Sequence, residues 1–298
     1  MRHALISVVL TVVSFSRLVA CTPLKRAAAD DATVLNYALT LEHLENAFYS
    51  GALAKFDEAA FARAGLPSFA RGRFEQIAAH EQAHVKLLAG ALGSSATQPC
   101  TYKFPYTDVK SFAAFSQLLE GVGVSAYIGA AQAIANKDYL TVAASILSTE
   151  ARHASWVAAA VNKFSGWSGA FDVPLDFNQV YSIAATVITA CPSTNPALPV
   201  RAFPTLTLTD PTPGKNAQVN VQQHTSTASS DPTYIVFLTG FDKIFVPVQN
   251  GKVVVPVGLS GQVYAVATNS GTDASDNSIL AGPAILQFER HSNGDLID

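Results

Sequence analysis

Glu81-Gln82-Ala83-His84 and Glu150-Ala151-Arg152-His153 repeat one spacing, a carboxylate and an imidazole three residues apart, within Ala- and Leu-rich stretches. On a helix such a pair stacks on one face. One helix then offers a carboxylate oxygen and an imidazole nitrogen to the same metal ion. A further glutamate precedes each pair, Glu42 and Glu120, and each is followed seven residues on by a tyrosine, Tyr49 and Tyr127. The order Glu, Glu-x-x-His, Glu, Glu-x-x-His is the ligand order of a carboxylate-bridged dinuclear metal site in a four-helix bundle.

In that site Glu42 and Glu120 are terminal carboxylates, Glu81 and Glu150 bridge, and His84 and His153 add nitrogen. Glu45, one turn beyond Glu42, is a rival on the first helix. Glu42 is preferred because its spacing to Tyr49 matches that of Glu120 to Tyr127. Glu45 is expected to flank the site or to be solvated. Tyr49 and Tyr127 are candidates to hydrogen-bond the ligand carboxylates or to pass electrons, and no catalytic residue is assigned. His43 and His80 read as surface or flanking residues, and His224 and His291 suggest no role.

The ordinary alternative is a surface Glu and His making i,i+3 contacts on a helix. Ile77, Ala78 and Leu88 around one pair, and Ile146, Leu147 and Val157 around the other, argue against it. A buried carboxylate without a partner is costly, and a metal removes that cost. Four carboxylates balance two divalent cations. Hard oxygen with two nitrogens suits iron first and manganese next. No Ser-His-Asp arrangement, Gly-rich phosphate loop or Cys-x-x-Cys competes.

Elements that place these residues follow from the pattern. Helices are expected from Asp31 through Tyr49, over Asp57 to Arg63, from Ser68 to Ala91, from Asp108 to Ala135, from Tyr139 to Phe164, and from Asp176 to Ala190. Residues 31–191 therefore read as a four-helix bundle plus a C-terminal helix. Residues 192–204 form a Pro-rich linker. Beyond it, in 205–298, seven short β-branched runs alternate with turn residues, and Asn250-Gly251 is a hairpin signal. That is the pattern of a small all-β sandwich, with immunoglobulin-like topology as the nearest type. The chain is thus expected to be multidomain.

At 298 residues, 49% hydrophobic and 14% charged, the chain supports a sizeable core and is not a disordered sequence. A net charge of −3 without a basic stripe speaks against a nucleic-acid partner. Residues 1–20 carry a cationic start and an apolar run too short to span a bilayer, and read as a secretory signal peptide. Residues 21–30 read as a propeptide or linker, cleaved at Lys25-Arg26 in the manner of a fungal secretory pathway. A lipoprotein signal ending at Cys21 is the competing reading, disfavoured by Arg17. No later run is long and apolar enough for a transmembrane segment. Removal of Cys21 leaves Cys100 and Cys191 as a disulfide candidate in an oxidising compartment.

The Glu-x-x-His pairs and the stretch Leu118-Leu119-Glu120-Gly121-Val122-Gly123-Val124-Ser125-Ala126-Tyr127 resemble the ferritin-like superfamily over residues 31–191. More narrowly, the chain is similar to secreted fungal ferritin-like proteins of the late sexual development and stress-response type, and to plant desiccation-related proteins. The resemblance implies a ferritin-like bundle with metal at Glu42, Glu81, His84, Glu120, Glu150 and His153. It does not imply iron storage, because the secretory signal and the β half depart from cage-forming ferritins. The expected protein is secreted, extracellular or wall-associated, and holds two divalent metal ions. One function class is a di-metal oxidoreductase acting on Fe(II), dioxygen or peroxide. The other is a non-enzymatic stress or developmental surface protein with a structural or vestigial metal site, its β module binding a cell-wall component. Oligomeric state is not readable.

Overall fold

The computed structural model describes residues 30–222, 231–291, 293 and 295–297. The expected signal peptide, residues 21–29 with Cys21, and His224 lie outside them. Six α-helices come first: α1 Asp31–Lys55, α2 Glu58–Arg63, α3 Ala70–Leu92, α4 Val109–Ala131, α5 Lys137–Trp156 and α6 Phe177–Ala184. Capping sets their starts. The side chains of Asp30, Asp57, Asp108, Asn136 and Asp176 each accept a backbone N–H from the first turn of α1, α2, α4, α5 and α6. Among the four long helices, α1 packs chiefly on α3 and α4 on α5. No helix among the described residues is long and apolar enough to cross a membrane.

Two helix ends differ from the sequence reading. The fourth long helix leaves α geometry after Trp156 and continues as a π-helical stretch, Val157–Asn162, closed by Lys163 in the left-handed region at φ 66°. The last helix stops at Ala184 instead of running to Ala190. Thr186-Val187-Ile188-Thr189 is a β-branched run that disfavours helix. Ile188–Ala190 forms a strand, β2, antiparallel to β1, Thr101–Tyr102.

The Cys100–Cys191 disulfide ties that pair across a sequence separation of 91 residues. Closing so long a loop restricts the unfolded chain strongly. Cys191→Ser, or reduction of the intact chain, is expected to cost roughly 2–5 kcal/mol and to lower the melting temperature by roughly 5–15 °C. A melt unchanged by reductant would contradict this.

The C-terminal half is antiparallel: β3 Thr205–Thr209, β4 Asn216–Gln222, β5 Tyr234–Thr239, β6 Asp242–Pro247, β7 Lys252–Val254, β8 Gly261–Thr268 and β9 Ile279–Phe288. One sheet has the order β3-β4-β7 and the other β6-β5-β8-β9. Leu206, Leu208 and Val253 from the first share a core with Ile235, Phe237, Val263 and Ala265 from the second. The two sheets thus form a sandwich. Asn250 and Gly251 both have positive φ, 52° and 72°, as a two-residue I′ turn requires. The strands it joins, β6 and β7, belong to different sheets.

The sandwich is packed onto the bundle. Val236, Leu238, Tyr264 and Val266 alternate with the inter-sheet residues and meet Tyr37, Val122, Ala126 and Val180 in a second core. Strands β5 and β8 are buried on both faces, which explains their continuous apolar runs. Tyr264 donates its hydroxyl proton to Gly121 O at 3.1 Å, and Gln262 Nε2 donates to Leu118 O at 3.1 Å. Gly121 permits this contact: a Cβ there would lie 2.4 Å from the Gln262 amide oxygen. Residues 192–204 do not stand away from the bundle. Asn195 exchanges hydrogen bonds with Gln98, Arg201 N donates to Asn178 Oδ1, and Phe203 N donates to Ser182 Oγ. The backbone of α4, which carries Glu120, is therefore held from the sandwich side as well as by α5.

Candidate metal centre

Each long helix brings one carboxylate to a common axis: Glu42 from α1, Glu81 from α3, Glu120 from α4 and Glu150 from α5. All four are fully buried, at 0% exposure. The two i,i+3 histidines arrive with them. His84 Nδ1 lies 3.2 Å from Glu42 Oε2, 3.2 Å from Glu81 Oε2 and 3.3 Å from Glu150 Oε1. His153 Nδ1 lies 3.3 Å from Glu81 Oε1 and 3.2 Å from Glu120 Oε2.

One ring nitrogen carries at most one proton, so three carboxylates around His84 Nδ1 cannot all be hydrogen-bonded by it. Glu42 Oε2, Glu81 Oε1 and both oxygens of Glu150 are buried without a hydrogen-bond partner. Convergent lone pairs with no proton to share are what a cation accepts. Donor atoms at right angles around an ion, each about 2.1 Å from it, stand about 3 Å apart, as these do. The donors form two groups that could each hold a metal ion: Glu42, Glu81, His84 and Glu150, and Glu81, Glu120, Glu150 and His153. Glu81 and Glu150 belong to both.

Burial and crowding shift the titration of these groups. Burial, only partly offset by His84, raises the Glu42 carboxyl to about 7. Burial and the Glu120 charge hold Glu150 well above the usual carboxylate range. Burial opposes charge on His84, yet the carboxylates of Glu150, Glu42 and Glu81 gathered around its Nδ1 lift it to about 12. His153, likewise burdened by burial but held by Glu120 and Glu81, rises to about 10.

Around the donors sits a supporting layer. Tyr49 on α1 donates to Glu120 Oε1 on α4, and Tyr127 on α4 donates to Glu42 Oε1 on α1. The two bonds are reciprocal across the bundle, and each fixes the terminal carboxylate of the opposite half. Ser116 Oγ is 2.7 Å from the Tyr49 hydroxyl. His80 lies edge to edge with His153, with ring centroids 5.2 Å apart and Nδ1 at 2.9 Å from His153 Nε2. Burial and the neighbouring His153 keep His80 below its ordinary pKa. A neutral His80 accepts the Nε2 proton that His153 must carry when its Nδ1 offers a lone pair. Tyr127→Phe is expected to weaken metal binding roughly tenfold while leaving the fold intact. A competition titration with a chromophoric chelator measures it, and an unchanged affinity would count against a supporting role.

His43 points away, with Nε2 3.1 Å from Thr97 O. Glu45 is buried at 4% exposure and is not solvated, but it belongs to neither donor group. Gly123 explains its position. A Cβ there would lie 2.9 Å from Glu150 Oε2 and 3.0 Å from Glu45 Oε1. Glu45 follows Glu42 by the same spacing with which Gly123 follows Glu120. One half therefore places a carboxylate where the other leaves a gap. That pairing, and the His80 contact with His153, went unread in the sequence.

Residues 30–163 match the family model for the Ferritin-like domain, and the match spans all the donors. This segment is a ferritin-like domain. Protein rds1 of Schizosaccharomyces pombe is 27% identical to the chain over 177 residues, 59% of this chain and 44% of that protein. The chain thus spans less than half the length of that curated relative. The ferritin-like domain supplies all six donors and both tyrosines, and the sandwich supports it from outside.

Proposed function

We propose that the ferritin-like domain holds a dinuclear centre of divalent metal, iron first and manganese next, and acts as an oxidoreductase outside the cell. One observation carries it: the two donor groups share Glu81 and Glu150, and the oxygens between them lack hydrogen-bond partners. Glu42 and His84 complete one half, Glu120 and His153 the other. Four carboxylates offset the charge of two divalent ions, and the oxygen-rich set suits iron or manganese. Two such ions, when bound, supply one electron each to a two-electron acceptor such as dioxygen or peroxide.

The chain's own groups do the rest. Tyr49 and Tyr127 hold the terminal carboxylates, His80 fixes the His153 tautomer, and burial keeps water from the donors. The Cys100–Cys191 disulfide supports an oxidising compartment, in keeping with a secretory signal in residues 1–20. The deciding experiment is the metal content of the intact chain purified from a secreting host, followed by Fe(II) oxidation with dioxygen or peroxide. About two ions per chain with turnover is the expected result. A folded chain that stays metal-free when Fe(II) or Mn(II) is supplied would overturn it.

A second reading has its own support. All four long helices converge on the donors, so an ion there would staple the bundle whether or not it turns over. The sandwich would then serve surface attachment, with the exposed Phe241, 5.3 Å from Phe171, as the face offered to a cell-wall component. Metal that raises the melting temperature without any oxidation of Fe(II) would favour this role.

A further inference from the structure

A cavity of about 80 Å³ lies between α1, α4, α6 and β9. Leu44, Phe115, Leu119, Val122, Ile183 and Ile285 are among its walls. Every lining residue is apolar or glycine except Glu45 and Thr186, and none comes from the histidine-bearing helices α3 and α5. Glu45 and Gly123 also line it. The side chain that Gly123 lacks would stand 2.9 Å from Glu150 Oε2. Glu45 Oε1 would stand 3.0 Å from the same Cβ, so the two carboxylates share the space that glycine leaves. The sandwich contributes Ile285, and the helix α6 that follows the family match contributes Ile183 and Ala184.

We propose that this cavity is the binding and delivery site for dioxygen, with Glu45, which lines it and reaches toward Glu150 across Gly123, standing between it and the centre. The proposal rests on the dinuclear redox reading above and narrows it to one oxidant. Walls of this kind enclose dry space that takes up apolar gases. Dioxygen, an apolar diatomic, gives up no hydrogen bonds on entering. Hydrogen peroxide and hydrated cations would surrender theirs with almost nothing in the lining to replace them. The asymmetry of the two halves has a use in these terms. Glycine at the position matching Glu45 makes room for the Glu45 carboxylate beside Glu150, so a residue that lines the cavity also reaches a shared carboxylate.

Xenon is the probe. Crystals of the intact chain pressurised with xenon are expected to show it bound between Leu44, Leu119 and Val122. A cavity without xenon overturns the proposal, and this measurement needs no variant and no metal. Ala184→Leu and Ile183→Phe each fill the space from α6, away from every donor. In the metal-loaded chain, whichever of the two folds is expected to raise the KM for dioxygen at least tenfold, with the rate on hydrogen peroxide and the bound metal unchanged. Dioxygen and peroxide rates falling in parallel, or an unchanged KM for dioxygen, would overturn it. Metal content of the same samples reads the dinuclear assignment separately. If no metal binds, that assignment fails, and xenon occupancy alone decides whether the cavity takes an apolar diatomic.

Discussion

Glu150→Ala is expected to empty both halves of the centre at once, lowering bound metal from about two ions per chain by tenfold or more under limiting metal. Glu150 belongs to both donor groups, so its loss takes an oxygen from each. Glu81→Ala should match it for the same reason. Glu42→Ala and Glu120→Ala remove a donor from one group only, and about one ion per chain should remain. Metal analysis of the four purified variants tests the pattern. Equal losses in all four would contradict a shared pair. Stability of the metal-free chain should move the other way. Both Glu150 oxygens are buried without hydrogen-bond partners, and the group is held well above its ordinary pKa by burial and by Glu120. Glu150→Leu, close in volume, relieves that burden and is expected to raise the metal-free melting temperature, by an amount equivalent to about 1–3 kcal/mol.

The convergence of these side chains was legible because helix geometry alone links Glu81 to His84 and Glu150 to His153. Nothing beyond local spacing was needed to put each pair on one face. Tyr49 and Tyr127 were legible as partners, but not which carboxylate each serves. The structure crosses them, Tyr49 to Glu120 and Tyr127 to Glu42, because the helices bearing them run side by side. Glu45 was ambiguous, since one turn separates it from Glu42 and only the gap at Gly123 gives its carboxylate somewhere to go. That is a tertiary fact with no signature in a single helix.

In the fold, helix starts fell within a residue or two of expectation. The last helix ends at Ala184, short of Ala190, because the β-branching from Thr186 to Thr189 outweighs the Ala- and Ile-containing pattern. Docking of the sandwich was unread for a related reason. Tyr234-Ile235-Val236-Phe237-Leu238 lacks alternation, and a strand buried on both faces cannot announce from sequence what covers its second face.

Metal-free and metal-loaded forms are expected to respond to pH with opposite signs. The Glu42 carboxyl rises from 4.5 to about 7 in the fold, so the stability it lends is present in acid and lost as pH climbs through about 7. His84 rises from 6.5 to about 12 and His153 from 6.5 to about 10. Their contribution is full below 6.5 and is lost as pH rises toward those folded values. All three have the same sign: the folded metal-free chain holds more protons than the unfolded one, and its stability falls with rising pH. One such proton corresponds to about 1.4 kcal/mol per pH unit, before solvent screening of the partly exposed histidines reduces it. From pH 6 to 8 the metal-free melting temperature should therefore drop by roughly 2–5 °C per unit. Metal must displace those same protons to reach the donors, so its affinity climbs with pH and the loaded form is increasingly protected. The gap between the two melting temperatures should widen steadily over this range. Proton release on adding Mn(II) to lightly buffered protein at pH 7 measures the exchange directly. A metal-free chain that grows more stable toward pH 8, or metal uptake without proton release, would show that the convergent donors are not held by protons in the absence of an ion.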